Sequence, residues 1–215
     1  MIARLPITSF MLLLAAHSVV AQDAPKMIAN GLLYANPKVD PYDRANYYGF
    51  NHAPSVTRLA DGRLLAAWFS GPFEGSVDQV ILGCYSADDG ATWSDGVVIN
   101  DQPRKSDFDP AFITDGSRTW FFYAVGHWNR YPFVASKDGE EKDVGIESFK
   151  LFARTTDDAG KTWSEERRIG EQTGWGSRSN GIRLSSGELL LPLHRFVPDF
   201  PPAVMKSSDG GKTWR

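Results

Sequence analysis

Acidic, histidine and arginine side chains in this chain are of the types that transfer protons and bind anions. A carboxyl group can act as a general acid or base, an imidazole changes its charge close to neutral pH, and a guanidinium group binds an anion through paired hydrogen bonds. The residues that stand out in this way, together with one asparagine, are His52, Glu74, Asp78, Asp109, His127, Arg130, Arg178, Asn180, His194 and Arg195. Because they are far apart in the sequence, only the fold can bring them to one place.

A repeated motif indicates which elements position these residues. The pattern Ser/Thr-x-Asp-x-Gly-x-Thr-Trp occurs three times, at residues 86–93, 156–163 and 207–214. Each copy follows short segments rich in β-branched and aromatic residues, which are separated by Asp-Gly or Ser-Gly turns. No sustained helical periodicity lies between them. These features predict an all-β repeat protein of four-stranded antiparallel blades, which are the building blocks of a β-propeller.

The motif itself is predicted to be a structural turn. Its aspartate can accept hydrogen bonds from the backbone of the same turn, and its glycine can take a positive φ. Its tryptophan has the size and shape to pack between neighbouring sheets. We therefore expect the motif to stabilise the blades rather than to bind a ligand or calcium.

The direction of the strands predicts which end of the blades could carry chemistry. Because strands alternate in direction within a blade, the turns between first and second strands lie at the same end as the motif turns. The opposite end receives the starts of the first strands, the ends of the second strands and the loops that follow them. All the candidate residues lie in those segments, as do Phe73, Asp107 and Trp128. Carboxyl groups, guanidinium groups and aromatic rings gathered at one end would suit a sugar site.

The first residues of the chain predict export. Arg4 precedes an apolar run at residues 10–16, and small residues near Ala21 offer a cleavage site, so residues 1–21 are predicted to be a signal peptide and residues 22–215 a propeller. The expected location is secreted or periplasmic. A net charge of −3 gives no reason to expect nucleic acid or an anionic membrane as a partner. The single cysteine, Cys84, lies in a β-type run and is expected to be a buried structural thiol.

The motif and the strands before it resemble the Asp-box, or BNR repeat, of the sialidase (neuraminidase) superfamily. The resemblance covers residues 50–215 and implies a six-bladed propeller, of which this chain would hold about three blades as an N-terminal fragment. It implies an exported exo-glycosidase that hydrolyses terminal acidic sugars, with a glycan substrate as its partner. Asp-boxes also occur in propellers with other activities, so function depends on the site residues.

The resemblance assigns roles to a few residues. In sialidases the first inner strand begins with Phe/Tyr-Arg-Ile-Pro, whose arginine binds the sugar carboxylate; here Pro54 matches but His52 stands in place of the arginine. The acid/base position implies Glu74 or Asp78, and Glu74 is preferred because it follows the inner strand closely. No nucleophile is assigned. The candidates are thus catalytic His52, Glu74 and Asp78, and substrate-binding Asp109, His127, Arg130, Arg178, Asn180, His194 and Arg195.

Other functions remain open on the same fold. The three histidines of the mature chain could suggest a metal site, but they lie on separate blades without the short spacing typical of zinc ligands, so we expect no metal and no cofactor. One alternative is a propeller that binds a glycan or a protein without catalysis. Another is a histidine-dependent rhamnosidase or uronate lyase, for which His52 or His194 would serve. The sugar, its linkage and the oligomeric state are left open.

Overall fold

The structure, a computed structural model, describes residues 33, 48–128, 146–170, 173–195 and 202–215. Within these ranges the chain forms twelve strands, and none of it forms a helix long and apolar enough to cross a membrane. The strands are β1 (Phe50–Arg58), β2 (Leu64–Gly71), β3 (Val80–Ser86), β4 (Val97–Asn100), β5 (Ser106–Asp115), β6 (Arg118–Trp128), β7 (Ile146–Thr156), β8 (Arg167–Arg168), β9 (Trp175–Gly176), β10 (Ile182–Arg183), β11 (Leu189–Arg195) and β12 (Ala203–Ser207). The predicted signal peptide and Arg130 lie outside the described residues.

The strands form three antiparallel sheets that follow one another along the chain. The first has the order β1-β2-β3-β4 and the second β5-β6-β7-β8. In the third, β11 pairs with β12 on one side and with both β9 and β10 on the other. The predicted all-β fold of four-stranded antiparallel blades is confirmed. The pairing of β9 with β11 was not predicted, because two residues are too short to show a strand pattern.

The first strand of each blade is interrupted at a corresponding place. In β1 the register shifts between His52 and Ser55, and in β5 it shifts between Phe108 and Ala111. The third blade has a gap between β9 and β10. Bulges of this kind bend a strand and redirect its side chains, and they are common beside functional sites. The interruptions lie toward the end of the blades that holds the candidate residues.

Apolar side chains fill the spaces between the blades. The cluster between the first and second blades includes Phe69 and Phe108, whose rings meet edge to face with centroids 5.2 Å apart. The cluster between the second and third blades includes Trp120 and Leu191. A third cluster contains Cys84, which is a free, fully buried thiol as predicted, and burial raises the pKa of this thiol. Since each blade has another sheet packed on it, these clusters fix the angles at which the first strands meet.

Each motif copy forms a turn closed by its own side chains. In the first copy Oδ1 of Asp88 accepts hydrogen bonds from the Ser86 hydroxyl and the Thr92 backbone N–H, both at 2.8 Å. Oδ2 of Asp88 accepts from the Thr92 hydroxyl at 2.6 Å, and the Gly90 N–H donates to the Ser86 hydroxyl at 2.8 Å. These bonds hold the pKa of Asp88 at about 2, and the same set recurs in the other two copies. The prediction of a structural turn is confirmed.

The tryptophans that end the second and third motif copies pack in the clusters between blades, as predicted, whereas Trp93 of the first copy packs against its own sheet in the cluster of Cys84. Trp163 lies against the cluster between the first and second blades, with its ring centroid 5.5 Å from that of Phe121. Trp214 meets Trp120 at 6.0 Å and Phe122 at 5.3 Å in the next cluster. Both contacts join the motif turns to the packing between blades.

Hydrogen bonds confirm that both kinds of turn lie at one end of the blades. Arg58 donates to the Gly62 carbonyl at 2.7 Å and to Asp89 at 2.8 Å, which joins the first Asp-Gly turn to the first motif turn. In the second blade Arg118, which follows the Asp115-Gly116 turn, donates two 2.8 Å hydrogen bonds to Asp157 in the second motif turn. We call this the turn end. The opposite end, where β2 and β6 finish and β1 and β5 begin, is called the site end.

Candidate functional site

His52 and Glu74 form a carboxyl–imidazole pair at the site end. His52 pairs with Phe69 in the β1–β2 ladder, and its ring packs edge-on against Phe69 and Phe50 with centroids 5.4 and 5.9 Å apart. Nδ1 of His52 lies 3.7 Å from Oε1 of Glu74, and each side chain is 50% exposed. The two residues therefore share a surface that solvent and ligands can reach.

Asn51 fixes the start of β1, a role that the sequence did not reveal. Its Oδ1 accepts hydrogen bonds from the Trp68 indole N–H at 2.7 Å and from the Ser70 hydroxyl at 2.8 Å. Its Nδ2 donates to the Tyr48 carbonyl at 3.2 Å. The backbone that carries His52 is thus held to β2 by side-chain bonds in addition to the strand ladder.

A second group consists of Asp109, His194 and Arg178. Asp109 is fully buried, and its Oδ2 lies 3.0 Å from Nε2 of His194 and 3.5 Å from Nε of Arg178. Its Oδ1 has no hydrogen-bond partner within the described ranges. The side chains of His194 and Arg178 are 29% and 55% exposed. A buried carboxylate needs partners of this kind. Asp109 therefore orients the partly exposed His194 imidazole and Arg178 guanidinium from its buried position.

The backbone at Asp109 is unusual in a way that serves this arrangement. Asp109 has φ 51°, in the left-handed region, at the interruption of β5. Aspartate tolerates this conformation better than most residues do, yet it remains uncommon outside glycine. Departure from the strand lets the side chain reach the third blade, whose His194 and Arg178 are distant in sequence. This strained position is a further sign of a functional site.

Arg195 and Trp175 extend the same region. They are directly paired between β11 and β9, and the guanidinium carbon of Arg195 lies 5.2 Å from the centre of the Trp175 ring. An arginine over an aromatic face is a favourable cation–π contact. Trp175 was not among the predicted residues, and its only sequence signal is an aromatic residue between two glycines, Gly174 and Gly176.

Asn180 joins the first strands of all three blades. Its Oδ1 accepts hydrogen bonds from the Ser55 hydroxyl at 2.6 Å and from the Phe112 backbone N–H at 2.8 Å. Its Nδ2 donates to the Val56 carbonyl at 2.7 Å. The sequence proposed Asn180 as a ligand-binding residue; the structure places its polar atoms against β1 and β5, where they align the first strands.

Two further predicted residues are His127, near the end of β6, and Asp78, in the loop before β3. His127 is half-buried, and desolvation, helped by the charges of Lys150 and Lys105, lowers its pKa. Asp78 is exposed just before β3, and its charge adds to burial and to Asp101 in raising the pKa of Tyr48. Within the described ranges no group of three or more histidine, cysteine or acidic residues is arranged to hold a metal ion.

Asp107, one position before Phe108, is a buried carboxyl at the junction of the first two blades. Its Oδ2 accepts hydrogen bonds from the Asn100 amide at 2.7 Å and from the Gln102 backbone N–H at 3.2 Å. Burial outweighs these bonds and raises the pKa of Asp107 to about 8. The residue is therefore neutral at pH 7, as a buried acid without a cationic partner tends to be.

Replacing Asp107 by asparagine is expected to flatten the dependence of stability on pH. The pKa of about 8 in the folded state exceeds the ordinary aspartate value of 3.8, so the folded state binds the extra proton and stability falls as pH rises between these values. The slope approaches about 1.4 kcal/mol per pH unit. Urea unfolding at pH 5, 6.5 and 8 measures it. The exposed Asp95→Asn serves as the control, and an equal slope in wild type and Asp107→Asn would contradict the assignment.

The fold and the site end together define a class: a β-propeller with acid, imidazole and guanidinium groups gathered where the inner strands begin. Residues 62–215 match the family model described as the BNR repeat-like domain. The chain belongs to this family.

Several known proteins that are similar to the chain are sialidases. A sialidase of Paraclostridium sordellii is 27% identical over 188 residues, which is 75% of this chain and 44% of that protein. Among solved structures, the Hadza microbial sialidase Hz136 has a TM-score of 0.58 at 23% identity and covers 76% of this chain and 36% of its own. Trypanosoma rangeli sialidase in complex with sialic acid has a TM-score of 0.59 at 17% identity. The match covers 79% of this chain and 30% of the Trypanosoma protein. The chain spans less than half the length of each, and the likeness supports the propeller fold.

Proposed function

We propose that the chain forms part of an exported exo-glycosidase that hydrolyses terminal acidic sugars from glycans. The observation that carries the proposal is the half-exposed Glu74–His52 pair at the same end of the blades as the Asp109–His194–Arg178 group. One group can deliver a proton and the other can bind an anion. Membership of the BNR repeat-like family and similarity to sialidases agree with this function.

Glu74 is the proposed general acid. As the glycosidic C–O bond breaks, the proton of the Glu74 carboxyl passes to the leaving oxygen, and a carboxylate is left behind. His52, with Nδ1 3.7 Å away, is positively charged when protonated and then favours that carboxylate. Asp78 is the less favoured candidate, because its charge acts on Tyr48, whereas the Glu74 carboxyl lies beside His52.

Arg178 and His194 are the proposed ligands of the sugar's acidic group. Both expose part of their side chains, and both are oriented by the buried carboxylate of Asp109. The sequence places His52 where the sialidase resemblance implies an arginine, so Arg178 would supply the guanidinium. Arg195 and Trp175 lie nearby on the same strand pair and would border the sugar.

No nucleophile is assigned among the described residues. Burial raises the pKa of each of the described tyrosines, Tyr48, Tyr85 and Tyr123, and Tyr123 is fully buried in the core. A phenol in that state is poorly suited to attack a sugar. The proposal therefore confines this chain to proton delivery and to binding of the acidic group.

A release assay with the intact protein tests the function. Fluorogenic sialosides, uronides and rhamnosides are offered in parallel, and we expect fluorophore release from an acidic glycoside but not from the neutral rhamnoside. Ultraviolet absorbance of an unsaturated product would instead identify a lyase. Saturable binding of acidic glycans without turnover of any substrate would identify a binding propeller. Either result would overturn the proposal.

A further inference from the structure

The position of Glu74 depends on the backbone of its loop. Glu74 lies between β2 and β3, in residues 72–79, and its side chain is 50% exposed. Its carboxylate approaches His52 at 3.7 Å, which is longer than a hydrogen bond. Such a contact does little to hold a flexible side chain in one place. Contacts of the loop backbone must therefore hold Glu74 in place.

Gln79 ties the loop to the second blade from within the protein. The residue is fully buried, and its Oε1 accepts a 2.8 Å hydrogen bond from the backbone N–H of Gly75, the residue after Glu74. Its Nε2 donates to the Asp107 carbonyl at 2.6 Å. The Asp107 N–H in turn donates to the Gln79 carbonyl at 3.0 Å. One buried amide thus connects the residue beside Glu74 to β5.

Ser106 holds Gly75 as well, together with the next loop residue, Ser76. Its hydroxyl is fully buried and lies within hydrogen-bond distance of the carbonyl oxygens of Gly75 and Ser76, which share its single hydrogen. The same hydroxyl accepts a 2.9 Å hydrogen bond from the Trp128 indole N–H, which orients it. The loop backbone is therefore bonded through both its N–H and its C=O groups to side chains that solvent cannot reach.

We propose that Gln79 and Ser106 are positioning residues for Glu74, an inference that rests on the proposed function. Both side chains are neutral, and the structure places neither beside the exposed His52–Glu74 surface. They act by fixing Gly75 and Ser76, so that the carboxyl of Glu74 is held at one distance from the leaving oxygen. A displacement of about 1 Å in a catalytic group can lower the rate by about 10²-fold.

The substitution Gln79→Met tests this, because it removes both side-chain hydrogen bonds and nearly conserves the volume. Two substrates with the same acidic sugar are compared. One has a methylumbelliferyl leaving group, which needs little protonation. In the other the leaving group is a hydroxyl of a second sugar, which must be protonated by the general acid. We expect kcat to fall about 10- to 10²-fold on the second substrate. On the first substrate, kcat and KM should stay within about twofold, since proton transfer contributes little there.

A double substitution and a matched control make the result specific. If Gln79 acts through Glu74, Gln79→Met should have no further effect in a Glu74→Gln background. Ser207→Ala removes a comparably buried hydroxyl at the turn end and should leave both substrates unaffected. Ser106→Ala provides a second positioning variant with the same expected pattern, should Gln79→Met fail to fold.

Two results would overturn the inference, and they differ from failure of the proposed function. Equal loss on both substrates, or an undiminished effect of Gln79→Met in the Glu74→Gln background, would make Gln79 a residue of general structural importance. Full activity of Glu74→Gln on the substrate with the sugar leaving group would instead show that Glu74 is not the general acid.

Discussion

Replacing Glu74 by glutamine is expected to lower kcat on a glycoside with a poor leaving group by about 10²- to 10⁴-fold, the usual contribution of a general acid. Glutamine keeps the shape of the side chain but has no carboxyl proton to deliver. Because binding of the acidic group is assigned to Arg178 and His194, KM should change little. Steady-state kinetics on the two leaving-group types measures both constants.

Two further variants sharpen this expectation. Glu165→Gln changes an exposed glutamate beside the second motif turn, at the turn end, and should leave kcat unchanged. Asp78→Asn should cost less than Glu74→Gln. If the larger loss followed Asp78→Asn, the acid would be Asp78, and the pairing of His52 with Glu74 would have no catalytic meaning.

Replacing Gly211 by alanine is expected to destabilise the fold strongly. Gly211 has φ 84°, and a Cβ built there would lie 2.1 Å from the ring of Trp120. The left-handed conformation costs an ordinary residue about 1–2 kcal/mol, and overpacking adds about 1–3 kcal/mol. Trp120 has little room to move, because it is buried between the second and third blades.

The neighbouring Gly210 is the matched control for this prediction. It also has a positive φ, 69°, but a Cβ there would meet no atom within 4 Å. Gly210→Ala should therefore show only the conformational cost of about 1–2 kcal/mol. Urea unfolding of the three proteins gives the free energies of unfolding. Equal losses in free energy of unfolding in the two variants would mean that steric overlap with Trp120 adds nothing to the cost at Gly211.

The blades and their two ends could be predicted because their signals are local. A motif turn such as that of Asp88 is closed by hydrogen bonds within four residues, so its sequence pattern suffices. Turns and alternating strand directions then determine which segments meet at each end. The same reasoning put His52, Glu74, Asp109 and His194 at one end, and the structure pairs His52 with Glu74 and His194 with Asp109.

The relations among those residues could not be predicted, because they join distant parts of the chain. Asn180 bonds Ser55 across 125 positions, and Arg178 meets Asp109 across 69. No local pattern shows that Asp109 is buried beside an imidazole and a guanidinium, or that Gln79 anchors the loop of Glu74. These features follow from how the blades pack, which depends on the apolar clusters as a whole.

The proposed function requires that the site end bind an acidic sugar with its anion at Arg178 and its glycosidic oxygen at Glu74. A crystal structure of the intact protein soaked with the acidic monosaccharide released in the assay tests this most directly. We expect density for the sugar with its acidic group within hydrogen-bond distance of Arg178 and its anomeric oxygen facing Glu74. Sugar bound at the turn end, or held at the site end with its acidic group directed away from Arg178, would contradict it.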